Sequence, residues 1–180
     1  MLLTGTYFRT IDEKGRFSIP RPLRGVLGLD QTTSMFLAPG TDGSLALYST
    51  GGFQEMAERL GRHSPTARNV RAFSRLLYAR ATRVEVDRQG RIRLPQELAR
   101  LISVERELVL VGVRDHLEIW EPGRWEAYLE QLQPFYDEMA ERAFGDSGAT
   151  MPDMTDHPVA AEAPGGAPEP GRGARPGKPR

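Results

Sequence analysis

A ten-residue pattern occurs twice in this chain. Residues 11–20 read IDEKGRFSIP and residues 86–95 read VDRQGRIRLP, both apolar-Asp-x-x-Gly-Arg-apolar-x-apolar-Pro. Asp12, Gly15, Arg16 and Pro20 return as Asp87, Gly90, Arg91 and Pro95, each 75 positions later. A second block repeats at an offset of 72: LALYSTGGF (45–53) aligns with LEIWEPGRW (117–125). Phe53, Met56, Ala57 and Leu60 then recur at i, i+3, i+4 and i+7, as do Trp125, Tyr128, Leu129 and Leu132, which lays four apolar side chains along one helical face. Two copies of a unit of about 70 residues are too few for a solenoid and point to a pseudo-two-fold duplication.

Each unit reads as strand, turn, strand, short helix, strand, strand, helix. TYFRTI and ATRVEV carry the β-branched and aromatic residues of strands. RFSIP and RIRLP alternate apolar and polar and stop at proline. RPLRGVLGL and QELARLI read as short helices. MFLAP with LALYS, and ELVLVGV with LEIWE, read as hairpins across GTDG and RDH. A closing helix in the first unit carries Val70, Phe73 and Leu77, with Ser64 expected as N-cap and Pro65 at N1. Its counterpart carries Tyr136, Met139 and Ala143 and begins near Pro134. The organisation expected is a first repeat over 1–79, a second over 80–145 and a disordered tail over 146–180. The last 18 residues hold five Gly, five Pro and no large apolar side chain, too little to offset the entropy of ordering. Its basic end reads chiefly as solubilising, with weak DNA contact the alternative.

With no cysteine, the chain has neither disulfides nor thiolate metal sites, and a reducing cytoplasmic setting is expected. It contains no run of 18 apolar residues, so no membrane partner is expected. Lys+Arg and Asp+Glu balance at 24 each, which gives no global hint of a polyanion partner. Of the 24 bases 22 are Arg; Ala, Gly and Pro are plentiful too, so codon bias explains part of this, and only the positions of the arginines can argue function.

In the repeated motif, Gly15 and Gly90 supply positive φ in a tight link. Asp12 and Asp87 precede the turn and can accept from backbone N–H groups beyond it. Arg16 and Arg91 leave the turn, close enough to pair with those carboxylates. The aspartates and glycines read as turn-structuring. The arginines read equally as clamps or as a paired basic surface, with Arg9, Arg21 and Arg24 near the first copy and Arg83, Arg88 and Arg93 near the second.

GTYFRTIDEKGRFSIPRPLRGVLGL resembles the looped-hinge, swapped-hairpin DNA-binding domain of AbrB-type regulators. Two such domains in one chain, each with D-x-x-G-R and each followed by the LALY or LEIW block and its helix, resemble the MraZ family over residues 1 to about 144. The resemblance implies an α+β fold, a pseudo-two-fold swapped-hairpin β-barrel with flanking helices. It implies a cytoplasmic, nucleoid-associated regulator of the division and cell-wall gene cluster, acting as a repressor. It implies a ring of subunits on direct repeats in promoter DNA, with no cofactor and no small-molecule substrate. Among the DNA-binding candidates it places Arg16 and Arg91 first, then Lys14, Arg9 and Arg24; Arg21, Arg83 and Arg93 stand nearby. The second copy departs, with Gln89 in place of Lys14 and Ala99 opposite Arg24, so unequal contact is expected, with Arg16 the more important.

An acid-protease-like pair of Asp12 and Asp87 is disfavoured, because each aspartate has an arginine four residues on and lacks the following small hydroxyl residue and glycine. His63, His116 and His157 are isolated in sequence, so neither a metal cluster nor a Ser-His-Asp set is expected. An antitoxin-like or structural interaction module is the remaining alternative.

Overall fold

The computed structural model describes residues 2–29 and 33–145, so the expectation for 146–180 lies outside the described residues. The chain divides into two compact units, 1–136 and 137–180. The first holds β1 (Thr6–Thr10), β2 (Arg16–Ser18), α1 (Arg21–Arg24), β3 (Ser34–Pro39), β4 (Leu45–Ser49), α2 (Thr50–Gly61), α3 (Arg68–Arg80), β5 (Thr82–Glu85), β6 (Arg91–Arg93), α4 (Gln96–Leu101), β7 (Glu107–Val113), β8 (His116–Trp120) and α5 (Pro122–Leu132). A 3₁₀ turn, Gln133–Phe135, follows; α6, Tyr136–Phe144, begins at the end of this unit and lies mostly in the second. No helix among the described residues is long and apolar enough to cross a membrane.

Six strands form one antiparallel sheet in the order β1-β7-β8-β4-β3-β5, and β2 and β6 form a separate two-stranded ladder. Exchanging the two repeats turns this order into its own reverse. The register locates the pseudo-axis: Ala46 stands opposite Glu118, its own counterpart at offset 72, and Phe17 opposite Ile92, its counterpart at offset 75. Strands cross between halves, since β1 pairs with β7 of the second repeat and β5 with β3 of the first. The closed barrel implied by the resemblance is not formed by these ladders. β1 and β5 remain as opposite edges of an open sheet, because β2 and β6, three residues each, pair with one another instead of bridging the edges.

Each half is built as its residues dictate. The β3–β4 hairpin turns through Asp42 and Gly43 at φ 53° and 84°, and the β7–β8 hairpin through Arg114 at φ 60°. Ser49 caps α2 by accepting from the Gly52 N–H at 3.0 Å; Glu121, its counterpart, caps α5 by accepting from Arg124 N–H at 2.8 Å. Ser64 does not cap α3. It accepts from the Thr66 N–H within a preceding turn, and the helix begins only at Arg68.

The central strands of the sheet are buried on both faces, whereas edge strand β1 leaves Phe8 66% exposed. Leu37, Leu45, Leu47, Leu108, Leu110, Leu117 and Ile119 meet Phe17, Ile19, Leu23, Ile92, Leu98 and Ile102 in one core beneath the β2–β6 ladder, α1 and α4. On the other face, aromatic pairs dock the helices. Phe53 of α2 lies 5.9 Å from Tyr48, and Trp125 of α5 lies 5.4 Å from Trp120, equivalent contacts in the two halves. Within the ladder, Phe17 and Ile92 point inward at 1% and 0% exposure, so period-two alternation turns Arg16, Ser18, Arg91 and Arg93 outward. Ile92→Ala is expected to cost about 2–5 kcal/mol through the cavity it leaves on the pseudo-axis, read as a lowered urea midpoint.

Candidate nucleic-acid interface

Two turns meet on the pseudo-axis. In the first, the Gly15 N–H donates to the Asp12 carbonyl at 2.8 Å, and Asp12 Oδ1 accepts from the backbone N–H groups of Lys14 and Arg16 at 3.0 and 2.9 Å. In the second, the Gly90 N–H donates to the Asp87 carbonyl at 2.8 Å, and Asp87 Oδ1 accepts from Gln89 and Arg91, both at 2.9 Å. Gly15 and Gly90 hold φ of 73° and 76°, the left-handed region glycine enters without strain. The turns are stitched together, because Ile19 N–H donates to the Gly90 carbonyl and Leu94 N–H to that of Gly15.

The side chains close a four-charge ring. Arg16 Nε and Nη2 donate to Asp12 Oδ2 at 2.9 and 2.8 Å, and Arg91 Nε and Nη2 donate to Asp87 Oδ2, both at 2.8 Å. Each guanidinium also faces the other carboxylate, with Arg16 Nη1 3.8 Å from Asp87 and Arg91 Nη1 4.0 Å from Asp12. The side-chain and backbone hydrogen bonds from Arg16 hold the Asp12 carboxyl down at about 2; the backbone hydrogen bond from Arg91, with its side-chain bond, likewise lowers that of Asp87. Both carboxyls move down, whereas a proton-sharing catalytic pair raises one of them.

The other sequence-chosen residues distribute unevenly. Lys14 is exposed at the first turn, and Arg93 is exposed directly across the ladder from Arg16. Arg9 donates to the Ser18 carbonyl at 3.2 Å and lies 5.8 Å from the Tyr7 ring centre. Arg24 donates to the Ile19 carbonyl at 3.0 Å, and its guanidinium occupies the space a Cβ on Gly90 would need. Sequence order groups Arg24 with the first copy, yet the interleaved halves seat it on the second copy's glycine. Arg21 and Arg83 are exposed and stand outside the ring, Arg83 on edge strand β5 opposite Phe36.

A second cluster escaped the sequence. His116, isolated in sequence, lies 2.7 Å from Asp115 and 3.9 Å from Glu118. Asp115 also takes Arg59 of α2 at 2.9 Å, and Tyr48 stacks on the imidazole at 4.8 Å. Burial disfavours the imidazolium, but the Glu118 and Asp115 carboxylates outweigh it and raise the His116 pKa. Among the described residues no group of three or more His, Cys, Asp or Glu is placed to hold a metal ion.

The family model described as "MraZ protein, putative antitoxin-like" matches residues 2–76 and again 77–147. The chain belongs to the MraZ family. A MraZ relative from Moorella thermoacetica, named transcriptional regulator MraZ, is 38% identical over 141 residues, covering 78% of this chain and 96% of the relative. Relatives of the same name from Thermomicrobium roseum (38% identical, 78% of this chain and 96% of the relative) and Finegoldia magna (35% over 135 residues, 75% and 92%) match over a similar span. Each MraZ match contains one of the two turns that build the ring.

The glycines separate the two turns experimentally. Gly15→Ala places alanine at positive φ, where its Cβ meets only the Leu94 carbonyl at 3.9 Å, an ordinary contact, and is expected to cost about 1–2 kcal/mol. Gly90→Ala must also displace Arg24, so its loss in denaturant midpoint is expected to be larger. The ring has a pH signature as well. A depressed folded-state pKa contributes stability that is complete above the ordinary carboxyl pKa of 3.8 and is lost as pH falls through about 2. Urea midpoints are expected to drop over that window, and less steeply in the Asp12→Asn, Asp87→Asn double variant.

Proposed function

We propose that the protein is a DNA-binding transcriptional regulator that meets duplex DNA with the outward face of the β2–β6 ladder, and that its role is not enzymatic. The observation that carries this reading is the alternation of that ladder, which buries Phe17 and Ile92 and turns Arg16, Arg91 and Arg93 to solvent at the meeting point of both repeats. The name shared by the relatives supports regulation of transcription. On this reading the protein works in the cytoplasm at the nucleoid and represses by occluding a promoter of the division and cell-wall gene cluster.

The charge balance sets the mechanism. Asp12, Asp87, Arg16 and Arg91 sum to zero, so the ring itself does not attract phosphate. Lys14, Arg9, Arg93, Arg24 and Arg88 supply the excess, while the ring orients guanidinium N–H groups left free by the aspartates, since Arg has five donors in a fixed fork. One chain offers few phosphate contacts and is formally neutral. Affinity then comes from several subunits engaging successive direct repeats at once, as a ring oligomer.

Removing one arginine leaves two carboxylates against one guanidinium, which turns the ring net negative toward DNA. Arg16→Ala and Arg91→Ala are therefore each expected to weaken promoter binding severely, with the double variant less than additive. Melting temperatures should stay near that of the parent. The slope of log affinity against log salt should fall by about 0.9 for each phosphate no longer neutralised. Variants that melt early yet still grip the promoter while folded would show the ring to be structural alone. A second reading, an antitoxin-like interaction module, rests on the family's description; a copurifying toxin with no footprint on the upstream promoter would favour it.

A further inference from the structure

Charge is segregated along this neutral chain in a way the DNA face does not use. Residues 59–83 contain seven arginines and no acid, whereas residues 125–141 contain five acids and no base. The first run includes α3, and the second reaches into α6. The two helices hold equivalent positions in the sequence, each closing its own repeat.

Both helices are incompletely covered. In α3 only Leu77 is buried, while Phe73 and Leu76 are 48% and 60% exposed. These two side chains, with Arg80, line a groove of about 260 Å³ whose other walls are Leu101 and Ile102 at the end of α4 and Gly43 of the β3–β4 turn. In α6 no residue is buried. Tyr136, Met139, Ala140 and Ala143 follow i, i+3, i+4, i+7 spacing along one face, and Asp137, Glu138 and Glu141 lie off it. Tyr136 is 63% and Phe144 90% exposed.

The charges decide what these surfaces accept. Two α3 helices brought together would oppose arginines to arginines; in α6 Arg142 pairs with Glu138 at 3.8 Å, so two α6 helices would still oppose the unpaired acids Asp137 and Glu141 to their like. Like-charge apposition of this kind selects against wrong pairings. A two-fold contact through either helix is thereby disfavoured, and the complementary match is α3 with α6. We propose that α3 of one copy receives α6 of the next. The apolar face of α6 fills the Phe73–Leu76–Leu101 groove, and its acids face Arg75 and Arg80. Such a contact is head-to-tail, the kind that generates rings when the rotation closes. It rests on the assembly reading above and specifies which surfaces make it.

The test uses two full-length variants. One carries Arg75→Glu and Arg80→Glu, which cancels the charge of α3 as a whole and makes its groove-lining C-terminal half acidic beside the native acidic α6. The other carries Asp137→Lys and Glu141→Lys, giving a basic α6 beside the native basic α3. Light scattering is expected to show the parent as an oligomer and each variant at the mass of one chain, 20.1 kDa. Mixing the two is expected to restore the oligomer, because every junction of an alternating assembly is then complementary. A chain carrying all four changes should assemble alone, which separates a broken junction from a failure to fold. A monomeric parent at micromolar concentration would sink the assembly reading itself. An oligomeric parent whose variants keep their size would leave assembly standing and overturn this contact. Variants that dissociate but fail to recombine would overturn it too. Loss of DNA binding by the α3 variant at unchanged size would assign the arginines to nucleic acid instead.

Discussion

Neither repeat completes its own sheet. β1 finds its partner in β7 of the other half, β5 finds its partner in β3, and the two central hairpins meet only through β4 and β8. Edge groups left without a partner leave backbone donors and acceptors unsatisfied, so each half depends on the other for its hydrogen bonds as well as its core. That dependence fixes everything placed on the pseudo-axis. The β2–β6 ladder exists only because both halves deliver three residues to the same line.

The apolar layer beneath the ladder and the charged ring above it have different roles. Phe17 and Ile92 lose nearly all exposure to water, and burial on that scale is worth roughly 1.5–3 kcal/mol per large side chain. The ring side chains remain 27–36% exposed, and ion pairs in such settings contribute little to stability. The core therefore holds the ladder, and the ring holds direction. Aspartate oxygens fix the turn N–H groups and the guanidinium planes together, so a face that gains little stability from its charges still presents them in one arrangement.

Much of this was legible in the sequence. The duplication, the strand and hairpin order and the turn role of Asp12, Gly15, Asp87 and Gly90 follow from local rules of spacing and turn chemistry. What local rules cannot give is which strand a strand will pair with, and that nonlocal choice left an open sheet where a barrel was expected. The same exchange carried Arg24 to Gly90. His116 looked isolated because Tyr48 comes from the neighbouring strand β4, far off in sequence, and Arg59 closes the cluster from α2. Ser64 looked like a cap because its spacing fits, but Thr66 offers its N–H first. The arginine run of 59–83 was visible throughout; a net charge of zero hid it.

The pseudo-axis itself sets a final consequence. In a symmetric pair of separate chains, a residue on the axis must face its own copy, so a glutamate there would meet a glutamate, an unfavourable opposition. Here Glu118 faces Ala46, and its carboxylate is free to accept from the Trp120 indole at 2.9 Å. One polypeptide that encodes both halves lifts the identity that symmetry would impose. Each side of the axis can then drift alone, as Ser18 and its counterpart Arg93 also show. The four charges of the ring, by contrast, are the same in both halves, so there the two sides still present matching groups across the axis.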